Sequence, residues 1–455
     1  RDDPCIGDVD APESVQTISK TLASNVFEPI GAATRTKGVR MPNGTGLFDH
    51  LAGSVRAVSA GVDPVGFFTR HADDPHPVRV TFPGLGAVLF FASEAAAREL
   101  LSLPPDVCIA PIPNPIEPIV GSGSLILQSG PAHRRQRMRL MPAFQAARVR
   151  EYAEVVRAVT ADQIASLRSG DQLSLRRLST GIALDTAIRV LFGITDPDRR
   201  ESYAATIGAL MNANTAPLML VPALRRSIGG HGPWARLMTL RDTLDGMLRE
   251  DLGTAESDTP DQRRTLLAAG HETTATALTW ALYRIHRHGD VRRRLLAELA
   301  ADPAPAQLTA LPYLGAVVKE VLRMHPPVPV VLRRLTSPTR IGQRWMESGQ
   351  IVGISLYSLH FNAENWRDPH TFDPGRFLDA RPSPFRYAPF GGGHRRCIGA
   401  ALATTELSVA IGTIMTTLDL RAPTVAGRRT PRSTARGIAV TPLREIRLEV
   451  VGRRG

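Results

Sequence analysis

A mainly α-helical protein with a small β component is predicted by three stretches of this sequence. Residues 149–249 form long amphipathic stretches broken by glycine and proline, the pattern of several connected helices. Residues 398–414 are rich in Ala, Leu and Thr and carry one acid, Glu406, as a buried helix does. Two short β-branched and aromatic runs, 78–82 and 87–91, flank a Pro-Gly turn and predict a β-hairpin, with Ser93 capping the helix that follows.

The chain has 455 residues, more than a usual single domain, yet no Gly/Ser linker or charge block divides it. We expect one domain over residues 61–455, preceded by an N-terminal extension of uncertain order over residues 1–60. The apolar share of 43% and the charged share of 22% are typical of a globular protein. No run of 18 or more apolar residues occurs, so we expect no membrane span.

The net charge of +12 is carried almost wholly by arginine, since Lys20, Lys37 and Lys319 are the three lysines. These arginines are spread along the chain and do not form a basic arm interleaved with aromatic residues, so nucleic-acid binding is not predicted. Basic surface charge can still steer association with an acidic protein. The odd number of cysteines (Cys5, Cys108 and Cys397) favours a reducing compartment, and we expect a cytoplasmic protein.

Cys397 lies in the stretch Phe-Gly-Gly-Gly-His-Arg-Arg-Cys-Ile-Gly, which runs from Phe390 to Gly399. Its glycines let backbone approach a flat ligand, and the helix that follows should lower the pKa of the thiol and favour a thiolate. With Arg395 beside it, such a thiolate suits an axial haem ligand, because haem carries acidic propionates. A structural cysteine in a glycine turn is the simplest alternative; a phosphate-binding loop is excluded because its lysine and Ser/Thr are missing.

This stretch resembles the Phe-Gly-x-Gly-x-Arg-x-Cys-x-Gly signature of the cytochrome P450 family at every fixed position. The resemblance, which extends over roughly residues 62–450, implies a haem-thiolate monooxygenase similar to the soluble bacterial members. It implies that Cys397 binds the haem iron and that Phe390, Gly391, Arg395 and Gly399 surround the haem. It also implies the family fold, a triangular prism of helices and small β-sheets with a long central helix over the haem, which periodicity alone does not predict.

Two further segments are similar to the haem-binding parts of the family. His133 and Arg137 lie four residues apart, so one helix face can bring both to the same anionic group, whereas a solvated basic face would explain only their arginine neighbours. The resemblance assigns this pair to the haem propionates. It assigns the same task to Arg333 in a later strand, with Arg334 as the alternative.

Residues 265–280 resemble the central helix of the family. Gly270 removes side-chain bulk, and the Thr273 hydroxyl can bond the carbonyl of Ala269, which would open the helix locally and leave room for dioxygen. The resemblance implies that Glu272 and Thr273 form the acid–alcohol pair that relays protons to oxygen. By themselves these residues would indicate only a buried threonine-rich helix.

Two other features follow the family order. Glu320 and Arg323, with Arg376 further on, resemble a buried three-charge network whose role is structural. The proline-rich residues 103–128 resemble the loop that covers the substrate pocket, and their apolar side chains argue against an ordinary surface loop.

The implied reaction uses O2 to hydroxylate or epoxidise a small lipophilic substrate. Haem b is expected because the sequence has no Cys-x-x-Cys-His attachment motif. No flavin or nicotinamide motif is present, so a separate ferredoxin and ferredoxin reductase should supply electrons, docking over Arg134, Arg135, Arg139 and Arg396. A peroxide-driven or rearranging haem-thiolate enzyme and a non-catalytic haem sensor stay open as alternatives.

Overall fold

The computed structural model describes residues 59–60, 63–82, 85–213, 218–219, 224–227, 229–253, 259–422 and 430–454. The chain divides into two compact units, Arg1–Leu47 and Phe48–Gly455, and every described residue belongs to the second. Cys5 and all but the last two residues of the predicted N-terminal extension lie outside the described residues.

Helices make up most of the described chain, as predicted. They are α1 (Pro64–Arg70), α2 (Glu94–Leu101), α3 (Glu117–Val120), α4 (Gly130–Leu140), α5 (Ala146–Ile164), α6 (Leu175–Phe192), α7 (Pro197–Ala213), α8 (Pro233–Leu252), α9 (Pro260–Arg287), α10 (Gly289–Leu299), α11 (Pro305–Leu308), α12 (Pro312–Met324), α13 (Leu356–Phe361), α14 (Arg376–Asp379) and α15 (Ala400–Thr417).

The strands form four small sheets, ordered β1-β2-β8-β5-β3, β4-β12-β9, β10-β11 and β6-β7. The predicted hairpin is confirmed, because β1 and β2 pair antiparallel and the Ser93 hydroxyl caps α2. The strands are β1 (Val78–Phe82), β2 (Gly86–Phe91), β3 (Cys108–Ile109), β4 (Gln172–Ser174), β5 (Val330–Leu335), β6 (Thr339–Ile341), β7 (Arg344–Met346), β8 (Ile351–Ser355), β9 (Leu418–Arg421), β10 (Ser433–Arg436), β11 (Ala439–Pro442) and β12 (Arg447–Arg453).

Helix α9, 28 residues long, runs through the main core. It begins with Pro260 at its first position, where a missing N–H costs nothing, and ends with Arg284 and Arg287, whose charges complement the helix dipole. Residues 274–285 of α9 are all buried, as expected for a helix surrounded by other elements. It packs mainly on α6, while α15 packs on α5 and also contacts α9.

The predicted three-charge network is confirmed. Glu320 and Arg323 have fully buried side chains, and Arg323 donates two hydrogen bonds to the Glu320 carboxylate at 2.7 and 2.8 Å. Arg376 donates a third to the same carboxylate at 3.1 Å. Because the two ends of the network lie on α12 and α14, it fastens the segment before the cysteine loop to the helical core.

One described helix, α15, is long and apolar enough by length and composition to cross a membrane, and 67% of it is buried inside the protein. Helices α6 and α7 meet the same criteria only as a pair bent by 117°. Since core helices satisfy such criteria when they are surrounded by protein, we interpret α15 as a core helix.

Candidate active site

The cysteine loop is a tight turn that places Cys397 just before α15. The Cys397 N–H donates to the Phe390 carbonyl at 2.9 Å, which closes the loop. Gly391 and Gly393 have φ angles of +65° and +62°, a region that residues with side chains rarely adopt. At Gly393 a Cβ would lie 2.0 Å from the carbonyl oxygen of Leu101 on α2, so glycine is required there.

Cys397 has the surface area of an exposed residue, yet protein encloses its thiol on most sides, and this burial raises the pKa of the thiol. The Gly399 N–H and the charges of Arg137 and Arg396 oppose the shift without reversing it. The expectation of a lowered pKa is therefore wrong for the chain alone. Helix α15 begins only at Ala400, and desolvation is the largest influence on the pKa of the thiol. A bound metal would have to displace the thiol proton.

A group of cationic and imidazole side chains lies near the loop, formed by His133, Arg333, His394 and Arg395; we call it the cationic cluster. Arg333 is 6% exposed, and its Nη1 donates to the Leu332 carbonyl at 2.8 Å. The Nε atoms of Arg333 and Arg395 are both buried without a hydrogen-bond partner, while the Nη atoms of Arg395 donate to the Ile126 and Gln128 carbonyls and to the Ser129 hydroxyl. The rings of His133 and His394 meet edge to face with centroids 6.0 Å apart.

The electrostatics of this cluster call for an anion. Burial, together with the nearby Arg395, lowers the pKa of His133 to about 4, so its ring is neutral at pH 7. Burial and the charge of Arg333 lower the pKa of Arg395 to about 10, which leaves it charged. In the described part of the chain neither arginine forms an ion pair with a carboxylate. Buried cations are costly without a partner, so the cluster fits a ligand that carries carboxylates.

Arg137 lies between the two features, because its charge acts on both His133 and the Cys397 thiol. It is half-buried on α4, one turn after the buried His133. Arg334 instead donates to two backbone carbonyls at 2.9 and 3.1 Å, whereas the charge of Arg333 lowers the pKa values of His133, His394 and Arg395. Of the two candidate strand arginines, the structure thus brings Arg333 to the cluster.

The middle of α9 carries the predicted threonine bond: the Thr273 hydroxyl donates to the Ala269 carbonyl at 2.9 Å. Two related expectations are wrong. The helix stays continuous here and does not open. A Cβ at Gly270 would lie 3.3 Å from Leu191 Cδ1, so this glycine gives room to helix α6 and not to a small ligand.

Glu272 is largely enclosed by protein, and burial raises the pKa of its carboxyl to about 7. Its Oε2 accepts a hydrogen bond from the Ile438 N–H at 3.1 Å, and this bond and the charge of Arg436 oppose the shift. A carboxyl with such a pKa can both release and take up a proton near neutral pH.

A small cavity of about 50 Å³ adjoins Glu272. Apart from Glu272, the described residues that line it are apolar or glycine. They include residues of the expected covering loop and the buried Met219. Not every apolar side chain of this loop is buried, since Ile112 is 55% exposed. The described lining residues are Pro115, Ile116, Ile119, Val120, Met211, Met219, Ala268, Glu272, Gly437 and Ile438.

Comparison with known proteins identifies the family of this chain. A protein of Mycobacterium tuberculosis strain H37Rv named cytochrome P450 138 is 31% identical over 391 residues, covering 78% of this chain and 85% of the relative. The chain belongs to the cytochrome P450 family. The family model for cytochrome P450 matches residues 236–448. The protein is therefore a haem-thiolate monooxygenase that uses O2, an organic substrate and redox partners.

Two solved P450 structures share the fold. CYP175A1 from Thermus thermophilus superposes with a TM-score of 0.69 at 22% identity, over 90% of this chain and 96% of that one. A mutant haem domain of cytochrome P450DA gives a TM-score of 0.72 at 22% identity, over 89% and 95%. The mainly α fold with small β-sheets is thus the P450 fold.

The haem implied by this family fits the residues of the P450 site. Cys397 offers the sulfur ligand, and the unpartnered Nε atoms of Arg333 and Arg395 are suited to carboxylates. His394 was missed by sequence reasoning, because it stands at a variable position of the signature. The contact of Ile438 with Glu272 was missed as well, since no local pattern links residues 166 positions apart.

Proposed function

We propose that this P450 binds haem b and inserts one oxygen atom of O2 into a C–H bond or a double bond of a small lipophilic molecule. The observation that carries the proposal is the cationic cluster, whose buried guanidinium groups have no carboxylate partner and lie beside the cysteine loop. Haem, when bound to a thiolate, supplies reductive activation of O2.

The chain's own residues have distinct tasks in this proposal. The two propionates would be bound by Arg333, Arg395 and Arg137, with the neutral His133 as a hydrogen-bond donor. Cys397 would hold the haem iron through its sulfur. The backbone of Phe390, Gly391 and Gly399, together with Ala269 of the central helix, would border the haem.

Proton delivery is assigned to Glu272 and Thr273. Glu272 is the candidate proton source, since its pKa of about 7 allows it to be reloaded from solvent at neutral pH. The Thr273 hydroxyl donates to the Ala269 carbonyl, so it stays oriented on the helix while its oxygen can accept a hydrogen bond from a neighbour. Neither Glu272 nor Thr273 has to bind a metal in order to deliver protons.

Substrate lipophilicity follows from the lining of the cavity, since small-molecule sites are lined mainly by apolar side chains with few polar groups. Besides Glu272, its described lining residues are apolar, so they hold an apolar molecule mainly by area burial. We further propose a cytoplasmic location, where reducing conditions keep Cys397 and Cys108 as the free thiols they are here.

The test is reconstitution of the purified protein with NAD(P)H, a ferredoxin and a ferredoxin reductase, and with a substrate chosen by its effect on the Soret band. Oxygenated product that contains ¹⁸O from labelled O2 is the expected result. Product formed with hydrogen peroxide but not with any ferredoxin would favour the peroxide-driven alternative. Binding of haem with no turnover in either system would favour a sensor.

A positive surface beside the site fits an acidic electron donor. Arg134, Arg135, Arg139 and Arg396 are exposed on α4 and on the cysteine loop, next to Arg137, which acts on Cys397. We expect Arg135→Gln with Arg139→Gln to slow reduction by ferredoxin on the order of tenfold at low salt, without changing substrate affinity. Stopped-flow reduction measures this effect.

The matched control is Arg340→Gln with Arg344→Gln, which removes the same net charge from exposed positions of the β6–β7 hairpin. Equal slowing in both double variants, or reduction that ignores ionic strength, would place the docking surface elsewhere.

A further inference from the structure

We propose that the turn of the β10–β11 hairpin, formed by Arg436, Gly437 and Ile438, positions the Glu272 carboxyl and connects it to helix α7 through Asn212. The inference rests on the proton-relay role proposed for Glu272. It adds a structural element, distant in sequence, that determines where this carboxyl lies and how readily it ionises.

The first contact is the hydrogen bond from the Ile438 N–H to Glu272 Oε2, at 3.1 Å. A backbone amide in a hairpin is a fixed donor, since the pairing of Arg436 with Ala439 fixes the turn that contains it. It favours the ionised carboxylate over the neutral acid, whereas burial does the reverse. The turn therefore moderates the effect of burial on Glu272.

The second contact is the close approach of Gly437. Its φ is +55°, and a Cβ built on it would lie 2.4 Å from both carboxylate oxygens of Glu272. A side chain at this position would be strained by the backbone angle and would also displace the carboxyl. Glycine here thus lets the turn reach Glu272 closely enough for the neighbouring amide to bind it.

The third contact leads away from the cavity. Arg436 is exposed, its charge lowers the pKa of Glu272, and its Nη2 donates to Asn212 Oδ1 at 2.9 Å. Asn212 is the penultimate residue of α7, whose Met211 lines the cavity. A displacement of this end of α7 therefore acts on Arg436, and Arg436 acts on Glu272.

Other elements around Glu272 contribute little charge. The described lining from α3 and α7 is apolar, as is Met219. On α9 itself, the neighbouring His271 is buried and its Nδ1 bonds the Leu267 carbonyl, and burial lowers the pKa of that ring. Among the described residues, Arg436 is the charged side chain that shifts the ionisation of Glu272.

The experiment is an infrared pH titration of the carboxyl band in the haem-loaded protein, with Glu272→Gln used to assign the band. In Arg436→Gln the pKa of Glu272 should rise on the order of half a pH unit, because a nearby positive charge is lost. Asn212→Ala should shift it the same way by less, since the arginine stays but is no longer fixed.

Gly437→Ala should move both the band and its pKa. Its control is Gly229→Ala, where φ is +58° and a Cβ would meet nothing within 4 Å, so only the backbone strain is shared. If Arg436→Gln leaves the pKa unchanged, or Gly437→Ala behaves like Gly229→Ala, the turn does not position Glu272. An unchanged pKa in Asn212→Ala would overturn the connection to α7.

The titration reads Glu272 without turnover, so it separates this inference from the proposed reaction. If the pKa shifts as expected while the pH dependence of product formed per NAD(P)H does not follow it, the positioning stands and the relay role of Glu272 fails. If neither responds to Arg436→Gln, the positioning itself is wrong.

Discussion

Replacement of Arg323 by methionine should destabilise the fold by about 3–5 kcal/mol, because one partner of a buried ion pair is removed and the other stays. Arg323 donates to both oxygens of Glu320 and also to three backbone carbonyls, including that of His360 at 2.8 Å. The loss is a large fraction of the total stability of a domain. Urea denaturation of the haem-loaded protein, followed by circular dichroism, measures it.

Arg157→Met is the control, since Glu154 and Arg157 have the same order and spacing on an exposed helix face, with side chains 61% and 58% exposed. Exposed pairs of this kind contribute roughly 0–1 kcal/mol. Similar urea midpoints for the two variants would show that the buried network contributes no more than a surface pair.

Thr273→Ala should reduce product formation by about 10²–10⁴-fold, the usual value of a positioned proton-transfer group. Haem content and substrate affinity should stay close to those of the wild type, because the partner of the hydroxyl among the described residues is the Ala269 carbonyl of its own helix. NAD(P)H and oxygen should still be consumed, with release of peroxide or water. The measurement is product formed per NAD(P)H oxidised, with a substrate that couples well in the wild type.

Thr279→Ala is the matched control, because Thr279 lies on the same helix and its hydroxyl donates to the carbonyl four residues earlier at 2.8 Å. Its side chain is buried in the core, so coupling should be retained. Unchanged coupling in Thr273→Ala would mean that protons arrive by another route, which would favour the peroxide-driven alternative.

Features that depend on spacing along the chain were predictable. The Glu320–Arg323 pair, the threonine bond in α9 and the hairpin of β1 and β2 each follow from local periodicity and turn residues. The cysteine loop was predictable for a related reason, because its glycines must satisfy φ angles and a contact with Leu101 that few other residues allow.

Features that depend on packing between distant segments were not predictable in the same way. The pKa of the Cys397 thiol rises because protein encloses it, an effect that no local pattern reports. Gly270 serves the packing of α6, although its place beside Thr273 suggested a cavity. The contact of Ile438 with Glu272 joins a C-terminal turn to the central helix.

The most direct test of thiolate ligation is the absorption spectrum of the reduced protein with carbon monoxide. The wild type should give the red-shifted Soret band of a thiolate-bound haem. Cys108→Ser, which replaces the other free cysteine of the described chain, should keep that band, whereas Cys397→Ser should lose it. A wild-type band typical of histidine ligation, or a thiolate band that survives in Cys397→Ser, would contradict the assignment of Cys397 as the haem ligand.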